Sequence, residues 1–299
     1  MLLSLLSVYF FVLLGVLSKF FFKEKIDAKT VTLLSVYFFQ PFLTFWGLTQ
    51  REFDTSLISA PLWYLLIVLT VLVFLYFLGK VLFKEQKKRS VFTIAGLIGN
   101  TGNLGIPLGI AVFGDVSVAY TTLINIANVF VVYTFGTYFY SRGSFSPKKS
   151  LLNVLKIPIL WAAVFAVFVN LSGVEIPPPV RESLKMGAYA SIVVQLMLFG
   201  IYLYSVKIKS LDLKLTVWTV FIKFVLLPLI TFAVLSFAPL EPLVKGILLM
   251  SLMMPLAVAN INLAALYDCL PKEVTALIFI TSVLFLGYFV LVLPIIKSF

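Results

Sequence analysis

The stretch Gly99-Asn100-Thr101-Gly102-Asn103-Leu104-Gly105-Ile106-Pro107 places three glycines, two asparagines and a proline inside an apolar segment long enough to cross a membrane. In hydrocarbon every backbone N–H and C=O needs a partner, so a helix interrupted there must be buried in protein or line a wet cavity. Asn100 and Asn103 carry amide donors and Thr101 a hydroxyl. Pro107 suits the first turn of a second half-helix, where its missing N–H costs nothing. A second interruption, Met254-Pro255-Leu256-Ala257-Val258-Ala259-Asn260-Ile261-Asn262, offers Pro255, Asn260 and Asn262. The last two are two residues apart and point to different faces of a wound helix, with Asn260 expected toward the site. Lys223 is an ionisable residue inside a span, and Gln40 and Gln195 are polar groups inside theirs. Helix N-termini with free N–H groups attract anions and unwound carbonyls attract cations. The chemistry these residues support is reversible binding of a small charged solute.

Each of these residues also has a plainer reading. The asparagines can cap a broken helix and satisfy its freed carbonyls. Lys223 can snorkel toward the nearer membrane face. Gln40 and Gln195 can join helices, and Asn125 and Asn128 in the fifth segment invite the same two readings. What is missing narrows the choice further. No carboxylate sits at mid-membrane, histidine is absent and Cys269 is the sole cysteine. A disulfide framework and the usual zinc or haem sites are therefore excluded, and no metal or cofactor is implied. Without an acid, base or activated nucleophile the expectation is that the chain is not an enzyme and has no catalytic residue.

The elements that must position these groups are helices. Of 299 residues 62% are hydrophobic and 12% charged, where a soluble domain carries about 25% charged residues. This is the composition of an all-α polytopic membrane protein. The net charge of +11 sits in loops between apolar segments, so topogenesis explains it better than nucleic acid, and no nucleic-acid partner is expected. Ten apolar segments emerge at roughly 2–22, 29–49, 60–83, 90–113, 117–140, 151–172, 183–205, 211–237, 243–266 and 273–297. The first lacks a basic leader and a cleavage site, and reads as a retained span. Lysine and arginine concentrate in the odd loops: Lys19 to Lys29, Lys80 to Arg89, Arg142 to Lys156, and Lys207 to Lys214. The even loops hold only Arg51, Arg181 with Lys185, and Lys245, and the ninth loop, with Lys272 alone, fits weakly. Odd loops are thus cytoplasmic, and both termini extracytoplasmic in a multi-pass cell-membrane protein.

Five segments precede Ser150 and five follow, which predicts two inverted repeats, 1–149 and 150–299. Tyr37-Phe38-Phe39-Gln40 resembles Ile192-Val193-Val194-Gln195, and Ala111-Val112-Phe113-Gly114-Asp115 resembles Ala265-Leu266-Tyr267-Asp268, at a near-constant offset of about 155 residues. The two interrupted segments, four and nine, then occupy equivalent places. Such a pair is the best sequence pointer to a transporter site at the bilayer midplane.

These motifs resemble those of the auxin efflux carrier family over nearly the whole chain. Asn100-Thr101 followed by Gly105-Ile106-Pro107-Leu108 stands at the family's spacing in span four. Met254-Pro255 with Tyr267-Asp268 matches span nine, Lys223-Phe224 with Pro228 matches span eight, and Leu293-Pro294 matches span ten. The resemblance implies ten helices in two inverted repeats, with broken helices four and nine crossing. It implies a scaffold from spans 1, 2, 6 and 7, a moving transport domain from spans 3–5 and 8–10, and a homodimer. It implies transport of organic anions, with Asn100 at the carboxylate-binding position. Departures are specific. Asn260 replaces the second proline of the plant span-nine crossover, the third segment from Ala60 to Leu78 has no charge, and the long hydrophilic loop between spans five and six is missing. Small carboxylates are the safer substrate class than auxin.

The expected function is a secondary carrier in the lipid bilayer that moves a small organic anion by elevator-type alternating access, with efflux as the direction. The site residues are Asn100, Thr101, Asn103, Pro107, Pro255, Asn260, Asn262, Gln40, Gln195 and Lys223. A sodium-coupled symporter of the bile-acid-carrier type is the alternative. A membrane-embedded sensor or enzyme ranks below both.

Overall fold

A computed structural model describes residues 2–50, 52, 54–141, 155–156, 158–205 and 211–299, with backbone alone for 2–7 and 205. Arg51, Arg142, Lys148, Lys149, Lys207 and Lys209, which informed the orientation, lie outside the described residues, as do 151–154 at the start of the sixth apolar segment. Among the described residues all regular structure is helical, apart from one isolated antiparallel bridge.

The helices are α1 (Leu2–Phe22), α2 (Ala28–Leu48), α3 (Thr55–Leu82), α4 (Gln86–Ile94), α5 (Thr101–Phe113), α6 (Ser117–Tyr140), α7 (Pro158–Leu171), α8 (Pro178–Ser205), α9 (Leu213–Phe237), α10 (Pro242–Met253), α11 (Ala259–Leu266) and α12 (Pro271–Ile296). Six of them are long and apolar enough to cross a membrane: α2, α3, α6, α8 over Pro178–Tyr204, α9 and α12. Helices α5, α7 and α10 are shorter and also apolar. Local chemistry starts several of them. The Asp27 carboxylate accepts from the N–H groups of Lys29 and Thr30 and caps α2. The Asp212 carboxylate accepts from Leu215 N at 3.0 Å and caps α9. Prolines open α8, α10 and α12, where the absent N–H is one of the orphans anyway.

Three of the four π-helical turns among the described residues share one cause. Ser35–Phe39 in α2, Thr101–Gly105 at the start of α5 and Ile222–Leu226 in α9 each end two residues before a proline, at Pro41, Pro107 and Pro228. A proline ring clashes with the carbonyl four residues back and offers it no donor; widening that turn relieves both problems without breaking the helix. The expectation for Pro107 changes accordingly. The second half-helix begins at Thr101, and Pro107 falls after its π turn, at the second position of the α-helical part.

The chain forms two compact units, each drawing on both halves of the sequence. The first holds Met1–Ser59, Gly102–Ile126 and Val154–Ser205. Its core packs Leu43 and Trp46 of α2 against Ile106, Val118 and Ala188. Gly15 of α1 and Gly200 of α8 let two helix backbones touch: a Cβ on Gly15 would run into the Met197 carbonyl, and one on Gly200 into that of Val12. Membrane helices pack by such small-residue contacts because lipid gives no hydrophobic drive between them. The second unit holds Ala60–Thr101, Ala127–Asn153 and Val206–Phe299. Its most deeply buried large side chains include Tyr64, Phe92, Tyr140, Lys223, Phe285 and Phe289.

Candidate functional site

Both breaks in the structure lie in the second unit, and the part of the first expected interruption from Gly102 to Pro107 is helical and belongs to the first unit. Helix α4 ends at Ile94, a turn follows, and Gly99 and Asn100 are extended before the next half-helix begins at Thr101. The break therefore sits on the N-terminal side of the Gly99–Pro107 stretch. Helix α10 ends at Met253 and α11 starts at Ala259, so the second break is Met254–Val258, shorter than expected.

The two breaks pair with each other. Gly99 and Leu256 form the antiparallel bridge. Asn100 N donates to Pro255 O at 2.8 Å, and Ala257 N donates to Ile98 O at 2.9 Å. Leu256 N donates to Thr281 Oγ1 of α12 at 3.4 Å. Groups that two broken helices would leave unsatisfied in hydrocarbon thus satisfy one another. Pro255, with no N–H, contributes an acceptor and adds no donor to be matched.

Side chains from three further helices fasten the pairing. Asn128 of α6 donates through Nδ2 to Gly99 O at 2.9 Å and to Thr101 Oγ1 at 3.0 Å, and its Oδ1 accepts from Tyr64 of α3 at 3.0 Å. Asn260 of α11 donates through Nδ2 to Ile98 O at 3.1 Å and to Ala257 O at 3.0 Å, while its Oδ1 accepts from Tyr140 at 2.9 Å. Asn260 is buried, and its amide donates only to the breaks while its oxygen is held by Tyr140 of α6.

Two groups beside the pairing remain uncommitted. Asn100 is 4% exposed, and its Nδ2 has no hydrogen-bond partner. Buried amide donors are nearly always paired, so an unpartnered one at a helix break stands out. Lys223 is 1% exposed and lies in the π turn of α9. Its Nζ stands 3.2 Å from where a Cβ on Gly99 would be, and the missing side chain of Gly99 makes the room. Among the described residues no carboxylate forms an ion pair with it. A buried cation with no counter-charge is expensive, and an anion placed there would relieve the cost. The arrangement brings together Asn100, Thr101, Pro255, Asn260 and Lys223. It holds an amide donor and a basic side chain.

The remaining candidates lie elsewhere. In the first unit Gln40 Nε2 donates to Asn103 Oδ1 at 3.3 Å. Gly102 leaves room for Asn125, whose Oδ1 lies 3.0 Å from the position of a Cβ there. Pro107 is buried in α5 of the same unit. Gln195 is buried and donates to Ser191 Oγ at 2.7 Å within α8. Asn262, in the second unit, is exposed on α11. Asn128, Tyr64, Tyr140 and Thr281 were not among the site residues expected. Asn128 had a signal, since it is one of two amides in an apolar span. The tyrosines had none, because their spacing does not separate them from interfacial aromatics.

A family model described as "membrane transport protein" matches residues 1–146 and 140–293. The chain belongs to this auxin efflux carrier-like membrane transport family. It is also 27% identical over 287 residues to an uncharacterized transporter of Methanocaldococcus jannaschii, covering 93% of this chain and 92% of that protein. The protein is a multi-pass membrane transporter, a class not normally enzymatic.

Proposed function

We propose that this transporter moves a small organic anion with a carboxylate group, by alternating access. The observation that carries the reading is the coincidence, at one pairing of helix breaks, of an orphaned amide donor on Asn100 and an unpaired basic side chain on Lys223. A carboxylate accepts from the first and neutralises the second, and charge-assisted bonds of this kind are roughly twice as strong as neutral ones. Asn260 and Asn128 hold the breaks rigid, so the donor is pre-organised before the anion arrives. Gln40, Asn103, Pro107, Gln195 and Asn262 are secondary in this reading.

The wider architecture in the proposal is ten spans in two inverted five-helix repeats, with a scaffold of spans 1, 2, 6 and 7 and an elevator-type transport domain from the rest. It acts as a homodimer in the cell membrane with both termini outside. The membrane potential, worth ~2.3 kcal/mol per charge per 100 mV, drives an anion out of a cell that is negative inside, so efflux needs no coupling ion. The sodium-coupled alternative is less favoured on geometry. Sodium would be held by unwound carbonyls and Asn or Gln side chains, and the carbonyls of Ile98, Gly99, Pro255 and Ala257 already accept hydrogen bonds.

The test is flux of labelled small carboxylates in liposomes under an imposed potential. The flux should follow the potential, ignore sodium, and fall at least tenfold in Asn100→Ala and Lys223→Met proteins that fold normally. Undiminished flux in both variants would rule this site out.

A further inference from the structure

A cavity with basic and hydroxyl side chains in its lining lies in the second unit, at the end of α3, and takes no part in the anion reading above. Its volume is about 190 Å³, room for on the order of ten water-sized groups. Lys80, Arg89, Tyr76, Ser90, Thr93 and Tyr138 line it, from α3, α4 and α6. Two of these side chains are cationic, and neither forms an ion pair with a carboxylate among the described residues. The neighbouring charges are spent otherwise: Lys87 pairs with Asp268 at 2.9 Å, and Lys88 with Asp212 at 2.7 Å and Glu85 at 3.6 Å. From a run of five basic residues, the fold sets Lys80 and Arg89 aside toward one cavity.

The cavity is also built. Lys80 Nζ sits 4.2 Å from the Tyr76 ring centroid, a cation–π contact that fixes its direction. Ser90 and Thr93 are buried, and Thr93 Oγ1 donates to Arg89 O at 2.8 Å, holding that turn of α4. The cavity's level in the membrane follows from α3. Its 28 residues span about 42 Å, longer than a hydrocarbon core of about 30 Å, and the charged Lys80 in its last turn sets that end among headgroups. Val73, Phe77 and Val81, four residues apart, expose one apolar face that runs to that same turn.

We propose that this cavity binds a phosphate ester, carried by an anionic membrane lipid whose acyl chains lie on the Val73–Phe77–Val81 face. Arg89 offers the planar fork that matches phosphate oxygens, Lys80 the second charge, and the cavity's hydroxyl groups neutral hydrogen bonding. A zwitterionic headgroup brings its own cation against Lys80 and Arg89 and is disfavoured.

The test uses the full chain in vesicles of phosphatidylglycerol or of phosphatidylcholine, reading retained lipid by native mass spectrometry after gentle detergent extraction. A third arm adds inorganic phosphate to detergent-purified protein and reads thermal stability. Wild type should retain phosphatidylglycerol about tenfold over phosphatidylcholine. K80Q/R89Q should lose most of that preference, K80R/R89K should keep it, and the charge-matched control K25Q/K84Q should change it less than twofold. Equal retention of the two lipids, or a preference that survives K80Q/R89Q, overturns the proposal. Stabilisation by inorganic phosphate that K80Q/R89Q abolishes, with no lipid preference, overturns the lipid as carrier and leaves a soluble phosphate in its place. If K80Q/R89Q does not fold, R89Q and K80Q singly are read against the same thresholds.

Discussion

The backbone N–H of Asn100 donates to the carbonyl of Pro255 across 2.8 Å, joining two segments 155 positions apart at the point where each leaves its helix. That bond consumes the main-chain donor of Asn100 and leaves its side-chain Nδ2 without a partner. One residue therefore has a structural half and an idle half. Asn260, on the other segment, has no idle half. The two asparagines should respond to substitution in opposite ways.

Asn260→Ala removes three hydrogen bonds and strands the Tyr140 hydroxyl in a buried setting, while the Ile98 and Ala257 carbonyls each keep one backbone donor. Each buried group so orphaned costs about 1–3 kcal/mol. Thermal unfolding in detergent should show a large fall in midpoint for Asn260→Ala and for Asn128→Ala. Asn100→Ala, which deletes an already unpaired donor, should stay within about 1 kcal/mol of wild type. If Asn100→Ala unfolds as readily as Asn260→Ala, the idle half is structural after all.

Much of this was readable from residue types. Glycine, asparagine and proline inside apolar segments located both breaks, and polar groups far from any loop marked Asn100, Asn260 and Lys223. The edges of the breaks were not readable. Pro107 looked like a helix start, but a helix can carry a proline past its first turn by widening into a π turn, as it also does before Pro41 and Pro228. The sorting of the asparagines was also hidden. Asn260 and Asn100 are chemically identical, and only the partners supplied by Ile98, Ala257 and Tyr140 make one a fastener and the other a free donor. Tyr64 and Tyr140 stayed invisible because an aromatic in a membrane segment is ordinary until its hydroxyl is seen to reach an amide.

Lys223→Met should separate stability from transport. Methionine fills the volume of the stem and removes a buried charge that pairs with no carboxylate among the described residues. Replacing uncompensated buried charge by apolar volume is neutral or stabilising by about 1–4 kcal/mol. The unfolding midpoint should hold or rise while anion flux falls at least tenfold. A destabilised Lys223→Met would mean that the ammonium has a partner within the protein and does not wait for an anion.

Gly99→Ala probes the same contact from the other side. The new Cβ would stand 3.2 Å from Lys223 Nζ, 3.4 Å from Met254 O and 3.6 Å from Met254 Cβ. Only the Nζ contact is tight, and it is the end of a flexible side chain, so the fold should absorb the methyl with a change of under about 1 kcal/mol. The displaced Nζ should weaken carboxylate binding several-fold, read as a rightward shift in a carboxylate-dependent thermal stabilisation curve. In Lys223→Met the same methyl should have no further effect on binding, which a double-mutant cycle measures directly.

Asp212 tests an electrostatic contact away from the site. Its carboxylate caps α9 through Leu215 N and accepts from Lys88 Nζ at 2.7 Å, and these bonds hold it below the usual carboxylate range. A carboxyl group lowered on folding contributes stability that is present above its unfolded value, near 3.9, and is lost as pH falls through the folded value. The contribution should therefore be the same at pH 6 and pH 8. Asp212→Asn keeps a capping oxygen and loses the ion pair, which is partly exposed and worth about 1 kcal/mol or less. Asp212→Ala loses the cap as well, for about 1 kcal/mol more. Unfolding midpoints should fall in the order wild type, Asn, Ala at neutral pH, with the gap between wild type and Asp212→Asn closing only below about pH 4, where protonation removes the charge that Lys88 sees.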